Sequence, residues 1–177
     1  MVKKNKCNIC GKVSKFSSLE DWLDRTLVEK GFPYPLSAFE TLNYKRYGCS
    51  YCQASDRDRL YRLYFDKFLT KRKLKLIDFA PSTGLQEYLK SRKNILYRSA
   101  DLYMQDVDDK VDITDMKKYK NGQFDFFICS HILEHVDDKK TLNELYRILR
   151  KGGKGILMTP IIDDDSVFDE DINLKNM

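Results

Sequence analysis

The chain has 177 residues, of which 42% are hydrophobic and 33% charged, and its formal net charge at pH 7 is +5. This length predicts one domain, or one domain with a small appendage, and the apolar fraction excludes wholesale disorder and collagen-like repeats. No apolar run reaches the ~18–20 residues of a membrane-spanning helix, and the basic N-terminus lacks the apolar segment of a secretory signal. We therefore expect a cytoplasmic protein without membrane contact.

The charge is distributed unevenly along the chain. Residues 1–77 contain 17 Lys and Arg against 8 Asp and Glu, a net charge of +9, whereas residues 78–177 contain 15 against 19, a net charge of −4. A basic N-terminal part is either a solvated surface or a patch that binds an anionic partner, and both interpretations remain open at this point.

Four of the five cysteines form two Cys-x-x-Cys pairs, Cys7 with Cys10 and Cys49 with Cys52. In a reducing compartment such pairs bind metal more often than they form disulfides. Two thiolates three residues apart can reach one ion at about 2.3 Å, so two pairs make a closed tetrahedral zinc site with no open position for catalysis. We predict a structural zinc. The fifth cysteine, Cys129, lies in an apolar run and is predicted to fill the core.

Two amphipathic segments flank the second cysteine pair. Residues 18–27 have apolar side chains at helical spacing and are predicted to form an inserted helix between the pairs. Residues 57–69 show a second apolar stripe, with Arg57, Arg59 and Arg62 outside it. We expect this second helix to link the zinc module to the rest of the chain.

From residue 74 onward, predicted strands alternate with predicted helices. The strands are 74–80, 95–101, 111–113, 124–130 and 155–160, and the helices are 85–91 and 139–150, the latter closed by Lys151-Gly152-Gly153. This alternation implies right-handed crossovers and an α/β fold with a Rossmann-like, doubly wound parallel sheet of about five strands.

Ligands of such sheets bind at the carboxyl ends of the strands. The first strand ends in the turn Asp78–Gly84, which leads into a helix N-terminus suited to a polar or anionic group. Asp101 ends the second strand, 17 residues beyond Gly84, where a carboxylate can accept hydrogen bonds from ribose hydroxyls. A carboxylate in the segment 112–115 could accept from an exocyclic amine. The pattern favours an adenosine-type ligand without a 2′-phosphate.

These segments, together with Phe124-Asp125, residues 130–136 and residues 144–153, resemble the successive motifs of class I S-adenosylmethionine-dependent methyltransferases. More narrowly, residues 74–160 resemble the type 11 group, and the cysteine pairs ahead of them resemble the zinc ribbon of some of its bacterial or archaeal members. The resemblance implies an enzyme that uses S-adenosylmethionine as cofactor.

The resemblance also implies roles for individual residues. In the first turn, Asp78, Ala80, Ser82 and Gly84 would hold the methionine part of the cofactor, Asp101 the ribose, and Asp112 with Ile113 the adenine edge. Two residues lie at the end of the fourth strand, where members of the family bind the methyl acceptor. Ser130 is assigned to the cofactor site and His131 to catalysis. A neutral His131 could take the acceptor's proton there, or it could instead cap the next helix or pack under the cofactor.

The chain departs from the family pattern in two ways. Ala80 and Ser82 replace the first two glycines of the usual first turn. The family sheet has seven strands, but this chain ends soon after its fifth. We expect either a shortened C-terminal part or a reduced fold whose sheet edge is left open or covered by a partner, such as a second copy of the chain.

Three functions follow as hypotheses. The first is methyl transfer to an oxygen or nitrogen of a glycan or small molecule, which the resemblance slightly favours. The second is an RNA methyltransferase whose basic residues track a phosphate backbone; these are Arg57, Arg59, Arg62, Lys71, Arg72, Lys73 and Lys75. The third is a non-catalytic scaffold.

The expected domain organisation has three parts. Residues 1–70 would form the zinc module with its inserted and linking helices, and residues 71–162 the methyltransferase domain. Residues 163–177 are acidic and weakly patterned, and we expect an acidic tail or a truncated C-terminal part there.

Overall fold

The computed structural model describes residues 4–31, 34–39, 42–68 and 72–161. Its N-terminal part contains two small antiparallel sheets. These pair β1 (Asn5–Lys6) with β2 (Val13–Ser14), and β3 (Phe16–Ser17) with β4 (Gly48–Cys49). The inserted helix α1 (Glu20–Glu29) lies between β3 and β4 in the chain, as the sequence predicts.

The second part is a five-stranded parallel sheet with helices. Its elements are α2 (Asp56–Phe68), β5 (Leu74–Phe79), α3 (Thr83–Ser91), β6 (Ile95–Asp101), β7 (Asp109–Lys110), β8 (Phe124–Ser130), α4 (Asp138–Ile148) and β9 (Leu149–Met158). The strand order is β7-β6-β5-β8-β9, with every neighbouring pair parallel. This confirms the predicted Rossmann-like fold. The order reverses between β5 and β8, which makes the carboxyl ends of these two strands the switch point of the sheet.

Buried side chains form one cluster on each face of the sheet. On one face, Tyr61 and Phe65 of α2 pack with Leu89 of α3 and Phe126 of β8. On the other face the buried cluster includes Ile77, Met116, Tyr119, Leu145 and Ile148. Helix α2 therefore packs in the core of the sheet, and it connects the N-terminal part to the region of the switch point.

Two strand predictions were wrong in position. The short third strand is Asp109–Lys110 and not 111–113, because the side chain of Asp112 accepts hydrogen bonds from Thr114 and turns the backbone out of the ladder. The fifth strand starts at Leu149, directly after α4, and a register shift opposite Phe124 and Phe126 accommodates the glycines that were predicted to stop the helix. The predicted strands 95–101 and 124–130 are confirmed.

Within the described ranges, every helix is too short or too polar to cross a lipid bilayer. The predicted acidic tail, residues 163–177, lies outside the described residues.

Candidate functional sites: a four-cysteine cluster and a cavity at the switch point

The four paired cysteines converge in the folded chain. The ligand atoms of Cys7, Cys10, Cys49 and Cys52 all lie within 4.8 Å of one another. Two of the separations, Cys7 Sγ to Cys52 Sγ and Cys10 Sγ to Cys49 Sγ, are 3.8 Å. Four sulfurs placed ~2.3 Å from a central zinc at tetrahedral angles are about 3.8 Å apart, so the cluster has the size and the donor set of a structural zinc site.

The two cysteine pairs lie on turns of the same construction. The backbone N–H of Gly11 donates to the carbonyl of Cys7 over 2.8 Å, and that of Gln53 donates to the carbonyl of Cys49 over 2.9 Å. Both Gly11 (φ 76°) and Gln53 (φ 56°) adopt the left-handed conformation. Glycine does so at no steric cost, whereas Gln53 is held in a sparsely populated region by the turn around it.

The electrostatics of the cluster favour a cation at its centre. Burial would raise the pKa of the Cys49 thiol, but N–H groups of Cys52 and Tyr51 outweigh it and lower the pKa to about 6. The pKa values of Cys7 and Cys52 are raised, in each case chiefly by burial. A divalent metal would stabilise all four thiolates together, which the protein alone does not.

A cavity of about 170 Å³ lies at the switch point of the sheet. Drug-sized ligands occupy pockets of ~300–1,000 Å³, so this cavity holds one end of a nucleoside-sized molecule and not the whole. Its sheet side is formed by predicted site residues, namely Asp78, Ala80, Ser82 and Ser130.

Asp78 is the buried carboxylate of this cavity. Its side chain is 2% exposed, and its Oδ2 accepts a hydrogen bond of 2.9 Å from the hydroxyl of Tyr97 on β6. Burial raises the pKa of Asp78 to about 7, because the hydrogen bond from Tyr97 does not offset the loss of water and the nearby Asp58 adds repulsion. A cationic ligand group placed in the cavity would pair with Asp78, a carboxylate that has no ion-pair partner among the described residues.

The two positions that depart from the family's glycine turn have distinct environments. Ala80 has φ 49°, so the left-handed conformation that suits glycine persists with alanine in place. Ser82 precedes α3, and its Oγ is buried without a hydrogen-bond partner among the described residues. An unpaired buried hydroxyl that lines a cavity is suited to a polar ligand atom.

The other predicted cofactor residues lie along the same edge of the sheet, outside the cavity. The parallel register pairs Phe79 with Ala100 and Asp101 with Lys110. Asp101, the last residue of β6, therefore lies one position beyond the end of the neighbouring β5, and Asp112 follows the end of β7 in the chain. Oδ1 of Asp101 accepts the N–H groups of Tyr103 and Met104 over 2.6 and 2.7 Å. Ile113 differs from both, since its side chain is 7% exposed and packs in the core.

Gly84 faces the four-cysteine module. A Cβ added to Gly84 would lie 2.9 Å from both the carbonyl oxygen of Cys52 and the Cβ of Ala54. Glycine at this position therefore allows the second cysteine turn to pack directly against α3, which the sequence did not indicate.

Ser130 and His131 end β8 as predicted. The Ser130 hydroxyl is 2.8 Å from that of Tyr61, and His131 adopts φ 57°. His131 Nδ1 lies 3.1 Å from Oε1 of Glu134, and its Nε2 contacts Nη1 of Arg57. Because arginine has only donors, Nε2 must accept, which places the proton of a neutral His131 on Nδ1, where it is donated to Glu134.

The opposite side of the cavity comes from residues that the sequence did not indicate as cofactor ligands, although it suggested Arg57 for RNA binding. They come from the second cysteine turn and its flanks and from the first turns of α2; they are Tyr47, Gln53, Ser55, Arg57, Asp58 and Tyr61. One local signal was present. Ser55 and Asp58 form a capping box, in which the Ser55 N–H donates to Oδ2 of Asp58 over 2.8 Å and the Asp58 N–H donates to Oγ of Ser55 over 3.2 Å.

The three arginines of α2 make contacts within the protein. Arg59 donates to the carbonyls of Tyr47, Ala54 and Arg46, and Arg62 donates to those of Asn8 and Ile9. Arg57 contacts His131 and donates to the Tyr47 hydroxyl over 3.2 Å. Arg59 and Arg62 thus bind α2 to the two cysteine turns.

Comparison with known proteins gives one family and several partial matches. Residues 76–157 match the profile of a family described as "Methyltransferase domain". A 54-residue stretch is 41% identical to the uncharacterized protein MJ0638 of Methanocaldococcus jannaschii, covering 30% of this chain and 23% of that protein. The chain thus spans about a quarter of the length of this relative.

Two solved structures are similar to this chain in fold. The PH0226 protein of Pyrococcus horikoshii is 20% identical with a TM-score of 0.45, covering 56% of this chain and 53% of the other. A SAM-dependent methyltransferase of Archaeoglobus fulgidus is 17% identical with a TM-score of 0.40, covering 56% and 50%. Similarity at this level adds no functional argument. The profile match shows that residues 76–157 are similar to the methyltransferase-domain family.

Proposed function

We propose that this protein is an S-adenosylmethionine-dependent methyltransferase. The observation that carries the proposal is the position of the cavity. It lies at the switch point of a sheet that is similar to the methyltransferase-domain family, with the buried Asp78 inside it and Asp101 and Asp112 along the same edge. The orphaned Oγ of Ser82 and the left-handed Ala80 fit a polar ligand that contacts the turn closely.

We assign the parts of the cofactor to positions along this sheet edge by the size of the cavity and the polarity of the strand ends. The cavity accepts the methionine end, and Asp101 accepts hydrogen bonds from the ribose, since Oδ2 of Asp101 has no partner among the described residues. Asp112 is exposed at the next strand end, where the adenine edge is expected. Ile113 would contribute its backbone there, since its side chain is buried in the core.

Bound S-adenosylmethionine supplies an electrophilic methyl group on its sulfonium. We assign to His131 the acceptance of the proton that an oxygen or nitrogen acceptor loses when it gains that methyl group. Glu134 holds the Nδ1 proton and so keeps Nε2 in the accepting form. Arg57 contacts Nε2 in this structure, and it must move away from Nε2 before His131 can act as a base.

The acceptor is proposed to be a small molecule or a glycan. An open depression of about 560 Å³ adjoins the cavity and shares Arg57 with it; it is also lined by Leu42, Tyr44, Leu60 and Met158. Its volume falls in the range of small-molecule sites, and its lining mixes apolar with polar side chains. Long RNA is the less favoured acceptor, because Arg57, Arg59 and Arg62 are engaged within the protein.

The first experiment is calorimetric titration of S-adenosylhomocysteine into the protein. We expect saturable binding that Asp101→Ala weakens on the order of 10- to 100-fold, as for loss of a charged hydrogen-bond acceptor. Because Oδ1 of Asp101 also holds the following loop, Asp101→Asn serves as a second variant that keeps an oxygen acceptor there. Asp106→Ala, an exposed acid in the same loop, is the matched control. A folded wild-type protein that binds no S-adenosylhomocysteine contradicts the proposal.

The role of His131 is tested by methyl transfer from labelled S-adenosylmethionine to a panel of phenols, amines and sugars. For any acceptor that is methylated, His131→Ala should lower the rate at least ~100-fold while the affinity for S-adenosylhomocysteine changes little. His135→Ala, an exposed histidine four residues along, is the control. An unchanged rate in His131→Ala assigns this histidine a structural role instead.

A further inference from the structure

The cavity at the switch point has two walls from distant parts of the chain. The sheet contributes Asp78, Ala80 and Ser130, whereas the segment that directly follows the second cysteine pair contributes Gln53, Arg57 and other side chains. The sheet alone therefore leaves this cavity open on one side. The four-cysteine module is part of the pocket and not a separate appendage.

The charges in the cavity are of both signs. Asp78 and Asp58 are buried carboxylates, 2% and 5% exposed, and Arg57 carries a guanidinium on the module side. A zwitterionic amino acid group, with one carboxylate and one ammonium, complements this arrangement, whereas a neutral nucleoside does not. The cavity is also too small for a nucleoside together with an amino acid.

The position of Arg57 depends on the second cysteine turn. Only three residues separate Cys52 from Asp56, the first residue of α2, and within them the carbonyl of Ala54 accepts the backbone N–H of Cys49 over 3.0 Å. Ala54 and the Cys52 carbonyl also pack against Gly84 at the start of α3. The turn that holds two of the four sulfurs thus fixes where α2 begins and therefore the backbone position from which Arg57 reaches the cavity.

We propose that Arg57 binds the carboxylate of the cofactor's amino acid end, and that the metal-bound cysteine turn positions Arg57 for this contact, so that metal binding and cofactor binding strengthen each other. The inference rests on the proposed function. The ammonium of the same group is held by Asp78 on the sheet side of the cavity and by Asp58 of α2. By thermodynamic linkage, whatever factor the metal adds to cofactor affinity, the cofactor adds to metal affinity.

The first test compares two ligands on one variant. S-Adenosylhomocysteine carries the amino acid end, and 5′-methylthioadenosine lacks it but keeps the adenosine and the sulfur. Arg57→Ala should weaken the binding of S-adenosylhomocysteine on the order of 10- to 100-fold and that of methylthioadenosine less than about 2-fold. The zinc content should be unchanged. Lys67→Ala, an exposed cation on the same helix, should affect neither ligand.

The outcomes separate this inference from the proposed function. If wild-type protein binds neither ligand, the proposed function fails. If it binds S-adenosylhomocysteine and Arg57→Ala weakens both ligands equally, or neither, the function stands and the role of Arg57 is overturned.

The second test measures the linkage directly, by the rate of zinc transfer from the protein to a chromogenic chelator. Saturating S-adenosylhomocysteine should slow the transfer at least about 3-fold in the wild-type protein and not in Arg57→Ala. Gly84→Ala, which pushes the cysteine turn away from α3, should reduce this protection while zinc stays bound; Glu87→Ala, an exposed change on the same helix, should leave it intact. An equal rate with and without ligand in the wild-type protein overturns the linkage.

Discussion

The two parts of this molecule are stabilised by different means. In the N-terminal module, the buried apolar cluster among the described residues consists of Cys7, Phe16 and Cys49, with three half-buried neighbours. The sheet has a cluster of ten buried residues on each face. A core as small as that of the module does not offset the entropy of ordering its loops, so we expect the module to depend on a bound metal where the sheet depends on apolar burial. The difference predicts that each part responds to a different perturbation.

The largest effect is expected from removing a metal ligand. Cys49→Ser should abolish zinc binding and unfold the module while the sheet stays folded, since zinc binding to such sites is worth roughly 10–16 kcal/mol at pH 7. Zinc content and hydrogen exchange resolved by segment measure the two effects. Cys129→Ala is the matched control, because Cys129 is buried in the sheet core and should leave one zinc per chain. Full zinc content in Cys49→Ser would show the four-cysteine assignment to be wrong.

A core substitution should have the complementary effect. Phe65 of α2 is 1% exposed and its ring centroid lies 5.4 Å from that of Phe126, so Phe65→Ala should lower the free energy of unfolding by about 3–5 kcal/mol. Phe68, on the same helix and 59% exposed, provides the control, with an expected change within about 0.5 kcal/mol. Urea denaturation measures both variants. If Phe65→Ala retains full stability, α2 does not belong to the sheet core.

The smallest of the three expected effects is a pH dependence of stability. It concerns Asp78, which lies where the N-terminal module and the sheet meet. Asp78 faces Tyr97 of β6 and Asp58 and Arg57 of α2, and its pKa in the folded state is about 7, above its ordinary value of 3.8. The folded state therefore binds more protons than the unfolded state between these values, and the free energy of unfolding should fall as the pH rises from about 4 to about 7. The fall is at most on the order of 4 kcal/mol.

Asp78→Asn tests this assignment, because an amide keeps an acceptor for Tyr97 and does not titrate. Unfolding by urea at several pH values should show a flatter profile in Asp78→Asn than in the wild type. Parallel profiles would assign the pH dependence to other groups.

Much of the fold was predictable because its signals are local. The nearly continuous apolar run of β8 indicates a strand buried on both faces, and β8 and β6 were both located to the residue. The convergence of the two cysteine pairs was predictable because two turns with the same Cys-x-x-Cys spacing can bind one ion in tetrahedral geometry. The third and fifth strands were misplaced because an aspartate turn at Asp112 and a bulged ladder opposite Phe126 outweighed local propensity.

The residues of the candidate site also fall into those that local sequence signals predicted and those that only the folded structure located. The sequence by itself determined the carboxylates at the strand ends, because in a parallel sheet the residue that follows each strand reaches one edge. Only the tertiary structure decided that Arg57, which the sequence suggested for RNA, lies in the cavity, that Gly84 serves the packing of Cys52 and Ala54, and that Ile113 is buried. The first two facts arise from contacts between residues 47–61 and residues 78–131, and the third from the core cluster that Ile113 shares with Ile77 and Leu145. All of these contacts join residues far apart in the chain, and no local periodicity encodes them.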